Sequence, residues 1–143
     1  MNLDAAIRTV RSGLELYGFG ETAALELVKY RENYVFRLTA GTGEGYAVRL
    51  HRAGYRQDAE IRTEMAYLHA LAGRGLSVPE PVPALDGGLM STVTAEDGTV
   101  FQLDVLRWIE GAHPLGDITE ALAGESSLGP EVFRKLGVLA AEL

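Results

Sequence analysis

Apolar positions Ile7, Val10, Leu14 and Tyr17 recur at helical spacing, so the chain opens on a predicted amphipathic helix. Asp4 is positioned to cap it, and Gly18 and Gly20 to stop it. The period then drops to two. "ALELVKY" (Ala24–Tyr30) and "NYVFRLTA" (Asn33–Ala40) are predicted strands separated by Arg31 and Glu32, and "GTGEG" (Gly41–Gly45) turns the chain into "YAVRLHR". In this third segment Tyr46, Val48 and Leu50 form one face, and Ala47, Arg49 and His51 the other. Three strands on short turns predict an antiparallel meander. Helical spacing returns from about Arg56 to Ala72, with a stripe of Ile61, Met65, Leu68 and Leu71 and a stop at Gly73 and Gly75. Glu64 falls on that stripe.

"VPEPVP" (Val78–Pro83) is extended, because each proline pushes its predecessor out of the helical region. The stretch from Gly87 to Gly111 predicts a hairpin turning at Glu96–Gly98, with Asp97-Gly98 as the turn signal. A polar, glycine-rich linker runs from Gly111 to Gly129. Pro130 then starts a helix with Val132, Leu136, Leu139 and Leu143 on one stripe. No stop signal follows it, so the chain is expected to be cut inside a helix. The expected class is α+β, with one antiparallel sheet of about five strands and one packed helix, plus an N-terminal helix and a truncated C-terminal helix.

The 143 residues suit one domain. A net charge of −7 argues against a nucleic-acid groove or an anionic membrane surface as partner. The lack of cysteine removes thiolate chemistry and disulfides and suits a reducing compartment, here taken as the cytoplasm. There is no apolar run of the roughly 20 residues a membrane helix needs.

Two charges stand out against this background. Arg49 lies mid-strand beside small Ala47, and Glu64 lies among the apolar residues of the following helix. Each has an ordinary reading: a long side chain lying along the sheet, or a solvated helix charge. Together they mean more, because a carboxylate on an apolar stripe is tolerable mainly beside a cation. A guanidinium has more donors than one carboxylate uses, leaving N–H groups for an anion such as phosphate. A purely structural ion pair is the alternative. His51, His69 and His113 show no metal spacing. Gly41, Gly43 and Gly45 sit between strands and open no helix, so they form a hairpin turn rather than a phosphate loop.

The stretches "RENYVFRL", "GYAVRLHR", "IRTEMAYLHALAGRGLSVPEPVPALDG", "LDVLRWIEG" and "LGVLAAEL", in this order, cover most of Glu21 to Leu143. They resemble the N-terminal lobe of the aminoglycoside phosphotransferase-like kinases. That family also holds choline-kinase-like and homoserine-kinase-like enzymes and a bacterial stress-response kinase. The resemblance implies a protein-kinase-like N-lobe at residues 23–110, preceded by a helix at 1–22 and followed at 111–143 by a linker and the first helix toward an absent C-terminal lobe.

The resemblance also implies roles. Arg49 would bind the phosphates of ATP and Glu64 would hold Arg49, while Asn33 would sit in the loop covering the phosphates. Val35 and Ala47 would form the apolar ceiling over adenine. Leu106 to Ile109, Trp108 included, would be the hinge, with backbone groups of Arg107 and Ile109 at the base edge. The family's catalytic loop, of the type H-x-D-x-x-x-x-N, and its Mg²⁺ ligands belong to the C-terminal lobe. This stretch alone is therefore expected to be inactive, while the whole protein would phosphorylate a small-molecule hydroxyl or a Ser/Thr side chain. An apolar face involving Trp108, Leu136 and Leu139 would be left open to self-association. The rival is a non-catalytic binding or regulatory module that reuses the lobe.

Overall fold

The computed structural model describes residues 1–112, 119, 122–125 and 128–143. Most of the predicted linker, and with it His113, lies outside the described residues. The chain divides into two units, Met1–Glu110 and Gly111–Leu143.

In the first unit, helix α1 (Leu3–Leu14) is capped by Asn2, whose side chain accepts from the Ala5 N–H at 2.9 Å. The expected cap, Asp4, lies instead in the first turn, because the backbone at Asn2 is extended and the helix starts earlier. There the carboxylate favours the positive end of the helix dipole. A short 3₁₀ turn (Glu15–Tyr17) follows, and Gly18 at φ 76° ends it in a conformation that glycine adopts without strain.

Five strands form one antiparallel sheet: β1 (Ala24–Tyr30), β2 (Asn33–Thr39), β3 (Gly45–His51), β4 (Ser91–Thr94) and β5 (Val100–Arg107). Their order is β1-β2-β3-β5-β4, so the first three are the expected meander and β5 inserts beside β3. The β4–β5 hairpin turns where expected: Asp97 accepts from the Thr99 N–H at 2.9 Å, and Gly98 has φ 82°. The proline segment contributes a single bridge, Pro81 to Leu106.

Each face of the sheet has its own cover. Tyr34, Phe36, Leu38, Tyr46, Val48 and Leu50 point one way and pack with Ala6, Val10 and Leu14 of α1 in the main core. Helix α2 (Asp58–Gly73), started by a Gln57/Glu60 capping box, covers part of the other face. Its Ile61 and Met65 pack with Met90 and Leu106, and Ala47 and Leu68 border them. The helix begins two residues after the predicted Arg56 because the extended Gln57 takes the cap.

In the second unit, helix α3 (Pro130–Glu142) opens on Pro130 as expected and has no buried residue; Leu136 and Leu139 are among its exposed apolar side chains. Among the described residues no helix is long and apolar enough to cross a membrane.

Candidate functional site

The sheet register gathers the residues singled out above. Across β2 and β3, Asn33 is opposite His51 and Val35 opposite Arg49; across β3 and β5, Ala47 is opposite Leu106 and Arg49 opposite Asp104. Side chains alternate faces along a strand, so Asn33, Val35, Ala47, Arg49, Asp104 and Leu106 all lie on the face that α2 partly covers. A cleft of about 300 Å³ opens beside them, lined by Lys29, Arg31, Glu32, Asn33 and Val35. Lys29 is in register with Val35 and so shares its face. Lys29 and Arg31 bring two cations that the sequence reading passed over as strand and turn residues.

Arg49 does meet Glu64: Nη1 lies 2.7 Å from Oε1. It also has a second holder, Asp104. Nε donates to Oδ1 at 2.7 Å and Nη2 to Oδ2 at 2.9 Å, the two-pronged geometry in which a guanidinium fits a carboxylate best. Nη2 also reaches the Met65 sulfur at 3.3 Å. A guanidinium has five N–H groups, so among the described residues one, on Nη1, is left without a partner. The expectation of several spare donors is corrected to a single one, because Asp104 takes two and the Met65 sulfur a third.

The charges continue outward from this pair. Glu64 accepts from Arg56 through its other oxygen. Asp104 is wholly buried and also accepts from His51 Nε2 at 2.6 Å. Burial pulls the Arg49 guanidinium toward losing its proton, but the hydrogen bonds and charge of Asp104, and then of Glu64, outweigh it, and its pKa is raised. Burial pushes the Glu64 carboxyl up, whereas Arg49 and Arg56 pull harder and leave it below the ordinary glutamate value.

Among the described residues, two buried polar atoms in this region have no hydrogen-bond partner, Asn33 Oδ1 and His51 Nδ1, on cross-strand neighbours. Buried orphans of this kind are usually satisfied by a water or a ligand. In the sequence His51 shows only a lack of metal spacing. It is a core residue, and its contact with Asp104 ties it to the site.

The hinge segment departs in one respect from expectation. The Arg107 N–H already donates to Glu80 O at 2.8 Å, so only its carbonyl could meet a base edge. The Ile109 N–H has no partner among the described residues. Between them, the Trp108 N–H donates to Gly45 O at 3.0 Å, and the Arg37 guanidinium lies 4.9 Å from the centre of the indole ring. Trp108 is thus a sheet-extending residue with a cation on its ring. Among the described residues no group of three or more His, Cys, Asp or Glu side chains is placed to hold a metal ion.

Comparison with known proteins bears on the family and the fold. The model of the phosphotransferase enzyme family matches residues 25–143, and the chain belongs to that family. It is 37% identical over 92 residues to an uncharacterized protein of Deinococcus radiodurans, covering 63% of this chain and 26% of that protein. The structure of a microcompartment-associated aminopropanol kinase superposes with a TM-score of 0.72 at 29% identity, over 94% of this chain and 38% of that one. An amicoumacin kinase in complex with AMP-PNP, Ca²⁺ and Ami superposes with a TM-score of 0.65 at 22% identity, over 84% of this chain and 36% of that one. The α+β fold is that of a kinase N-terminal lobe, and the chain spans well under half the length of each neighbour.

Proposed function

We propose that this chain is the nucleotide-binding lobe of an ATP-dependent phosphotransferase, and that in the full-length protein Arg49 contacts the nucleotide phosphates. The observation that carries the reading is Arg49 itself. It is a guanidinium locked by two carboxylates, with one N–H left over, at the centre of a sheet face that also bears Asn33, Val35 and Ala47. A fixed donor acts on a phosphoryl group by positioning it and by meeting the charge that spreads over its oxygens. Lys29 and Arg31 add cations at the neighbouring cleft, and Val35 with Ala47, on the same sheet face, would offer an apolar surface for a purine.

In the proposed reaction an acceptor oxygen bonds to the γ-phosphorus, the bond to ADP breaks, and the acceptor proton passes to a base outside this chain. Mg²⁺ bound with the nucleotide would supply charge neutralisation, and by the family resemblance its protein ligands would come from the C-terminal lobe. The aminopropanol kinase neighbour favours a small-molecule hydroxyl as acceptor over a Ser/Thr side chain.

The charge balance favours one rival. Asp104 and Glu64 offset Arg49 and Arg56, which suits a structural cluster in a non-catalytic module. The two readings separate in an ATP-turnover assay on the full-length protein with a panel of amino alcohols. Arg49→Ala is expected to lower kcat/KM for ATP by about 100-fold, while Arg62→Ala, on the same helix-and-strand unit, changes it less than threefold. Equal effects of the two substitutions would make Arg49 a structural cation only.

A further inference from the structure

Two carboxylates hold Arg49, and they are not equivalent. Glu64 is carried by α2, keeps 29% of its side chain exposed, and divides its oxygens between Arg49 and Arg56, whose side chain is 34% exposed. Asp104 is carried by the sheet. It stands directly opposite Arg49 in the β3–β5 ladder, is completely buried, and makes the two-pronged contact. Backbone hydrogen bonds between two central strands set its position, so a shift of α2 leaves it in place. Asp104 is in turn fixed from the side away from Arg49 Nε. His51, itself 2% exposed, donates from Nε2 to Oδ2, because an ionised carboxylate can only accept.

We infer that Asp104, steadied by His51, is the residue that positions Arg49 for the phosphate, independently of α2, and that Glu64 is a secondary and exchangeable holder. This rests on the phosphate-binding role proposed for Arg49. Its physical content is that one rigid anchor fixes the direction of the fork. Glu64 takes one N–H of Nη1 and the other stays open to a phosphate oxygen, so the helix carboxylate can yield without freeing the guanidinium. Without the His51 donor, buried Asp104 would be held only by the fork it is meant to fix, which is why His51 matters although it lies outside the fork.

The test is steady-state kinetics with ATP as the varied substrate, using the full-length protein and its Asp104→Asn, Glu64→Gln, His51→Gln and His51→Leu variants, with thermal unfolding alongside. Asp104→Asn is expected to raise KM for ATP at least tenfold, and Glu64→Gln to raise it less than threefold. His51→Gln, which keeps a side-chain N–H, should stay within threefold of the parent, while His51→Leu should follow Asp104→Asn. A merely structural network would lower Tm and the active fraction, hence kcat, and leave KM alone; that result overturns the inference, as does a larger KM effect from Glu64→Gln than from Asp104→Asn. Should Asp104→Asn fail to fold, the two His51 variants decide, and equal KM values for them count against it. Arg49→Ala in the same series keeps the two claims apart. If it leaves KM and kcat unchanged, the phosphate role itself fails; if it is impaired while Asp104→Asn is not, only the anchor fails.

Discussion

At the scale of single residues, the site is a matter of where carboxylates can survive. Glu64 sits between Arg49 and Arg56, and its pKa lies below the ordinary glutamate value of 4.5. A depressed carboxyl pKa contributes stability that is present above the unfolded value and lost as pH falls through the folded one. The expected outcome is that thermal stability falls as pH drops below about 4.5 and that Glu64→Gln flattens this part of the profile; an unchanged acid limb in the variant would show that the carboxylate gains nothing from its partners. The reasoning that singled out Arg49 and Glu64, a charge set among apolar neighbours, applies equally to Asp104 between Leu103 and Val105. Its partner, however, depends on β5 lying beside β3, and nothing local in residues 100–107 specifies that pairing. Asp104 was therefore visible as an anomaly and illegible as a contact, and His51 became part of the site only through Asp104.

At the scale of elements, local signals carried far. Helical period gave α1 and α2, alternation gave the strands, and Asp97-Gly98 gave the last hairpin, because each depends on residues a few positions apart. Ends were less legible. Asn2 rather than Asp4 caps α1, and both are good capping residues, so the choice rests on where the chain first turns helical. Packing can also reverse a local preference. Gly13 in α1 is a poor helix former, and Gly→Ala there would gain about 1 kcal/mol from propensity alone. A Cβ at that position would lie 2.7 Å from Cγ1 of the stiff, buried Val93 and 3.0 Å from Leu103 Cδ1. Gly13→Ala is therefore expected to destabilise by about 1–3 kcal/mol, as measured by urea unfolding, because α1 would have to lift off β4 and β5. A stabilised variant would mean that α1 is not seated this closely.

At the scale of the whole molecule, membership of the phosphotransferase enzyme family and the kinase-lobe fold place this chain beside proteins of which it spans 26% to 38%. In the proposed reading, such a lobe supplies one side of a cleft: a fixed guanidinium, flanking cations and an apolar ceiling. The most direct measurement compares the affinity of the full-length protein for ATP and for adenosine by calorimetry, in the parent and in Arg49→Ala. If the Arg49 fork grips phosphate, the parent binds ATP at least tenfold more tightly than adenosine, and Arg49→Ala loses most of that preference while its adenosine affinity stays within twofold. An ATP preference that survives the substitution intact would contradict the account.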